Sequence, residues 1–237
     1  MAHRVGPKGQ VVIEKEIRDK LGIEPGWLAI QQLVEDHVEI SFIPREHDRS
    51  LAGILAPYTN VRIPDQAALR EARERAWDAR ARKDVIHERG LGWMSEGTYG
   101  SDGLAFLDTS MIIRYLIQDV PDRIEQVRRV IEKHPHLWLT EGIIAETAYV
   151  LTKVYQLPRD VVVDALIALF RRRNIQTHGL EKMMAIQGLL LFRPSGRVSF
   201  ADAMLWAVAR STGIRSSVFT LDERFPASGI GVHHEWN

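Results

Sequence analysis

Apolar and polar residues recur along this chain with two different periods. Near the N-terminus Val11, Val12 and Ile13 precede the charged run EKEIRDKLG, then EPGW, then LAIQQLV and VEISFI around the turn EDH. Val38, Ile40 and Phe42 alternate with Glu39 and Ser41, the period of a strand that buries one face. Residues 1–44 therefore read as short β elements around one charged turn-helix. A unit of about 45 residues buries too little surface to stand alone, so pairing with a second copy is expected.

The segment SLAGILAP, residues 50–57, sets Leu51, Ile54 and Leu55 at i, i+3 and i+4. Such a stripe is too short to hold a helix unless it docks. DQAALREARERAWDARARKD, residues 65–84, has only Leu69 and Trp77 as large apolar residues and predicts a helix bathed in solvent or laid in a partner's groove. Glycines and polar residues over 87–102 mark a linker. From Gly103 the pattern becomes strand and helix in alternation. It predicts strands at GLAFL, LWL, IQT, SVFTL and near GIGVHH, with helices over 109–118, 122–133, 141–155, 159–172, 180–192 and 199–211. The fold class is α/β, with a mostly parallel sheet covered on both faces and a ligand site at the carboxyl ends of its strands. Four segments follow: 1–45, a tail over 46–86, a linker over 87–102, and the α/β domain from 103 to 237.

Composition narrows the chemistry. Among 237 residues, 45% are hydrophobic and 26% charged, which excludes wholesale disorder. The 31 basic and 31 acidic residues cancel, so any affinity for nucleic acid must come from a local patch. The absence of cysteine removes disulfides, thiolate metal sites and cysteine nucleophiles. No apolar h-region opens the chain and no run approaches about 18 apolar residues, so cytoplasm is the expected compartment and no membrane partner is expected.

Four acids stand out. Asp108 follows GLAFL directly and Asp222 follows SVFTL, both at the carboxyl end of an expected strand. Glu146 interrupts the row of Ile143 and Val150 on an apolar helix face, and Asp202 interrupts that of Leu205, Trp206 and Ala209. Each also has an ordinary structural role open to it. Asp108 and Asp222 can cap turns, Ser199 with Asp202 fits a capping box, and Glu146 can pair with an arginine. Gathered together, four carboxylates would repel one another and raise one another's pKa, a conflict that a hard cation such as Mg²⁺ or Mn²⁺ resolves. Metal-dependent phosphodiester chemistry is the expectation.

The segments AFLDTSMIIRYL, IIAETAYVL, SFADAMLWAVAR and VFTLDERF resemble, in order and spacing, the acidic motifs of PIN-domain endoribonucleases, in particular VapC-type toxins. The resemblance implies magnesium-dependent RNA cleavage by a catalytic, metal-holding set of Asp108, Glu146, Asp202 and Asp222, supported by Thr109, Ser199 and Thr220. VGPKGQVVIEKEIRDKLGIEPGW resembles the AbrB-type swapped-hairpin DNA-binding domain of VapB-like antitoxins, with Glu14 and Trp27 as departures. RSLAGILAPY with the Ala/Arg-rich helix resembles the toxin-binding tail of the same proteins. That resemblance implies operator DNA bound through Arg4, Lys8, Lys15 and Arg18, self-association, and a tail acting in cis or on a neighbouring chain. Residues 1–20 carry five basic and three acidic side chains, a balance of +2 that a dimer doubles.

The combination reads as a toxin joined to its antitoxin, with Arg73, Arg75 and Arg80 as candidates to enter the acidic site and Trp77 as an anchor. Met94 opens MSEGTYGSDGLAFLD, which has the form of a separate toxin's start. The run Arg171, Arg172, Arg173 can grip RNA phosphate or complement a helix dipole. His178, His233 and His234 lack metal-ligand spacing and read as surface residues. Two alternatives stay open. One is a DNA-binding regulator whose PIN-like half is catalytically silent and serves oligomerisation; the other is a phosphatase-like metal hydrolase.

Overall fold

A computed structural model describes residues 3–34, 37–81, 104–193, 198–212 and 216–234, apart from the side chains of Gln32, Val34 and 77–81. The chain divides into two compact units, Met1–Glu46 and His47–Asn237.

In the first unit, helix α1 (Lys15–Leu21) ends at Gly22, whose φ of 63° is the left-handed conformation that glycine adopts without steric cost. Strands β1 (Leu28–Val34) and β2 (His37–Ile43) form an antiparallel hairpin, Leu28 opposite Ile43 and Val34 opposite His37. Val11–Ile13, expected to be β-like, are irregular, with Val11 54% and Val12 66% exposed. Strand conformation needs a ladder partner, and β1 and β2 pair with each other.

The second unit opens with a strap, residues 47–65, that leads into helix α2 (Gln66–Ala81). The sheet that follows is built from β3 (Ala105–Phe106), β4 (Leu137–Thr140) and β5 (Ile175–His178), parallel and in that order, with Phe106 level with Trp138 and Trp138 with Gln176. Strands β6 (Ser217–Phe219) and β7 (Gly231–His233) form a separate parallel pair among the described residues. The helices are α3 (Thr109–Ile117), α4 (Pro121–Lys133), α5 (Glu141–Lys153), α6 (Arg159–Phe170), α7 (Lys182–Phe192) and α8 (Phe200–Ser211). The α/β class and the parallel pairing match the expectation. On one face of the three-stranded sheet Leu137, Leu139 and Ile175 are buried, while Phe106 on the other is 49% exposed among the described residues.

Helix α5 lies against both α3 and α8, and α7 packs on α8. Gly188 allows that last contact, since a Cβ there would stand 3.0 Å from Ala203 O.

The strap departs from the expected helical stripe. Leu51 and Leu55 are buried but Ile54 is exposed, and the backbone runs through tight turns with a single 3₁₀ turn at Ala56–Tyr58. Its backbone is held by distant partners in place of its own helical hydrogen bonds. The arginine run supplies some of these. Arg172, 2% exposed, donates to Asp48 O at 3.3 Å and to Arg49 O, and Arg173 pairs with Asp48 Oδ2 at 2.7 Å. His47 N–H donates to Arg171 O at 2.9 Å and its Nε2 to Ala168 O at 3.0 Å. In these contacts the run grips the strap, a role that the phosphate and dipole readings both missed.

Candidate active site

Asp108 stands where β3 ends and α3 begins. Leu107 N–H donates to Trp138 O at 3.0 Å, which carries the strand register to the last residue before the acid. The Asp108 carboxylate caps α3, accepting from Ser110 N–H at 2.9 Å and Ser110 Oγ at 2.6 Å through Oδ2, and the residue is exposed.

Thr109, fully buried, donates its hydroxyl to Glu146 Oε2 at 2.5 Å. That bond joins the β3–α3 corner to the middle of α5. The second oxygen, Oε1, pairs with the guanidinium of Arg73 from α2, with the two side chains 31% and 30% exposed. A carboxylate held by a hydroxyl on one oxygen and a cation on the other has its charge satisfied. Tyr149, one helical turn beyond Glu146, adds a second hold by donating its hydroxyl to Ala76 O at 2.7 Å. Sequence reading missed Tyr149, although its i+3 spacing from Glu146 places both on one face.

Asp202 lies in the first turn of α8. Ser199 Oγ donates to its Oδ2 at 2.5 Å and accepts from its N–H at 3.1 Å, the reciprocal capping box. Asp222 follows β6 in a turn of its own. Its Oδ1 accepts from Arg224 N–H at 2.9 Å and Nε at 3.3 Å, and its N–H donates to Thr220 Oγ1 at 3.1 Å. The Arg224 backbone N–H, aided by the guanidinium, holds the Asp222 carboxyl below the usual carboxylate range.

The four acids were expected to gather at one end of the sheet. Among the described residues, no three Asp, Glu or His side chains stand close enough together to hold one metal ion. Each carboxylate instead has a nearer partner: Ser110, Thr109 with Arg73, Ser199, or Arg224. Asp108 and Glu146 are joined through Thr109, and α8 brings Asp202 to the flank of α5, whereas Asp222 belongs to the separate strand pair. The donor set, oxygen throughout, fits a hard divalent cation in kind, and Arg73 already occupies the Glu146 oxygen that such a cation would take.

Of the other tail candidates, Arg75 pairs with Glu71 on its own helix at 3.9 Å, and the side chains of Trp77 and Arg80 lie outside the described residues. His178 meets Phe106 edge-on at 5.4 Å, His233 stacks on Phe219 at 5.0 Å, and His234 bonds Thr220 O at 3.1 Å. Arg4, Lys8, Lys15 and Arg18 are all exposed in the first unit, where Arg18 Nε donates to Ile13 O at 3.2 Å.

The PIN domain family model matches residues 105–229, more than half of the chain. The chain belongs to the PIN-domain family. The matched span begins at β3 and contains all four acids, while the strap and the first unit precede it. PIN domains are generally metal-dependent nucleases, typically using divalent ions such as Mg²⁺, and are typical of the toxins of toxin-antitoxin systems. At that level the protein is a nuclease. No curated protein and no solved structure matches the chain. Among the described residues, no helix of this PIN protein is long and apolar enough to cross a membrane.

Proposed function

We propose that this PIN protein is an endoribonuclease of the toxin type, dependent on Mg²⁺ or Mn²⁺, whose strap and α2 serve as its own antitoxin. The observation that carries this reading is the ion pair between Arg73 of α2 and Glu146 of the acidic site. Asp108, Glu146, Asp202 and Asp222 would together hold the cation, which when bound supplies an activated water and charge stabilisation at the phosphate. The chain's own residues prepare that site. Ser110 orients Asp108, Thr109 fixes one oxygen of Glu146, and Ser199 fixes Asp202. Arg73 opposes them by neutralising Glu146 and removing one donor oxygen. Because α2 is covalently tethered, its local concentration is on the order of millimolar, which favours the covered state.

The test compares the full-length chain with its Arg73→Ala variant on RNA at one fixed Mg²⁺ concentration. A charge-assisted hydrogen bond of this kind contributes about 1.5–3 kcal/mol, so cleavage should rise roughly 10- to 100-fold. Equal rates would remove Arg73 from the inhibitory role.

We propose further that the first unit pairs with a second copy and binds operator DNA through Arg4, Lys8, Lys15 and Arg18. The exposed Val11 and Val12 and the local +2 balance motivate this reading. Binding should weaken steeply with salt as counterions are released. A DNA mobility shift indifferent to salt, or a strictly monomeric chain, would contradict it.

One observation favours the silent-regulator alternative. Each acid already has a protein partner, and at Glu146 that partner is a cation, Arg73. RNA cleavage by the uncovered chain separates the two readings.

A further inference from the structure

The last turn of α3 is built around the strap. Tyr115 and Leu116 carbonyls, among the four that a helix end leaves without intrahelical donors, accept from Gly53 N–H and Leu55 N–H at 2.9 Å each. From the same turn, Arg114 donates to Ile63 O at 2.8 Å, Asp65 O at 2.7 Å and Asp119 Oδ1 at 2.5 Å. Asp119 Oδ2 accepts from Ile63 N–H at 3.3 Å and from the Tyr155 hydroxyl at 2.6 Å, while Thr59 donates its hydroxyl to Tyr155 O at 2.9 Å. The Arg114 and Asp119 side chains are 8% and 0% exposed. Burial, with the Asp119 hydrogen bond, pushes the Tyr155 phenol above its ordinary range. Almost every polar contact here is made to strap backbone, so the site recognises an extended peptide more than its side chains.

Helix α2 is held differently. Leu69 is buried, and the polar ties of α2 to α5 among the described side chains include the part-exposed Arg73–Glu146 pair and the Tyr149–Ala76 hydrogen bond. Asp65 sits at the junction: its carbonyl is fixed by Arg114, while its carboxylate caps α2 at Ala68 N–H, 2.7 Å away.

We propose that the C-terminal turn of α3, with Arg114, Asp119 and Tyr155, is a peptide-docking site separate from the acidic site, which keeps residues 51–65 seated when α2 leaves. Lifting the strap would strip a buried ion pair of three strap partners and orphan two helix-end carbonyls. Lifting α2 breaks a pair already partly in water, which costs much less. The order of release follows from that difference, with the chain pivoting at Asp65. This inference rests on the proposed inhibition in cis, but hydrogen exchange decides it whether or not the chain cleaves RNA.

The test is amide hydrogen exchange on the full-length chain carrying Arg73→Ala, with Tyr149→Phe as an independent way of loosening α2. In both variants, α2 amides should exchange about tenfold faster than in the unmodified protein, while Gly53, Leu55 and Ile63 keep their protection. Equal behaviour of the two segments, whether both gain exchange or both keep protection, would overturn the proposal. Differential exchange without any RNA cleavage would uphold the docking site and count against the nuclease reading alone.

Discussion

In the Arg73→Ala chain, a second substitution, Asp108→Asn, is expected to return RNA cleavage to background, a loss of at least about 100-fold. Asp108 sits at the strand end where a parallel sheet builds its site, and its amide replacement keeps the size and one acceptor oxygen. The Ser110 hydrogen bonds that cap α3 need only that acceptor, so the fold and the circular dichroism spectrum should not change. Undiminished cleavage by the double variant would remove Asp108 from the catalytic set. Absence of Mg²⁺-stimulated cleavage in Arg73→Ala itself would favour the silent regulator.

The second large effect concerns stability. Asp119→Ala leaves Arg114 in the interior without its carboxylate, and breaking one side of a buried pair costs about 3–5 kcal/mol. For a chain of this length each kcal/mol lowers the unfolding midpoint by about 2–4 °C, so a fall of roughly 6–20 °C is expected in a thermal melt. Replacing both partners, as Arg114→Met with Asp119→Leu, should recover much of that loss, since two apolar groups leave no buried charge. A single variant that melts within about 2 °C of the unmodified protein would show that Arg114 finds other partners or water.

The helices after Gly103 were legible because their apolar residues recur at helical spacing and their first residues are caps. Thr140, Ser199 and Asp108 each accept a backbone N–H at the start of α5, α8 and α3. The order of the four acids was legible for the same reason, since each follows a strand or interrupts a helix face. Their partners were not. Spacing placed Arg73, Arg75 and Arg80 on one helix, but which of them meets Glu146 depends on how α2 rolls against α5, a tertiary fact. The strap was misread through its local pattern: Leu51, Ile54 and Leu55 suit a helix, yet the backbone turns because Tyr115 and Leu116 carbonyls offer better partners some sixty residues away. Arg172 likewise looked like a surface cation and is instead buried against Asp48 and Arg49.

The strap and α2 precede β3 in the chain, and that order has a consequence during synthesis. A ribosome adding about 5–20 residues per second needs roughly 7–28 s to travel from the end of α2 to Asp222. The strap and α2 are therefore already synthesised before the last acidic motif leaves the exit tunnel. Under the proposed function, a chain translated from its first residue carries its guard before its catalytic domain is finished. Unequal expression of two genes, or faster turnover of one product, could not unbalance the pair, so activation would have to act on the joined molecule.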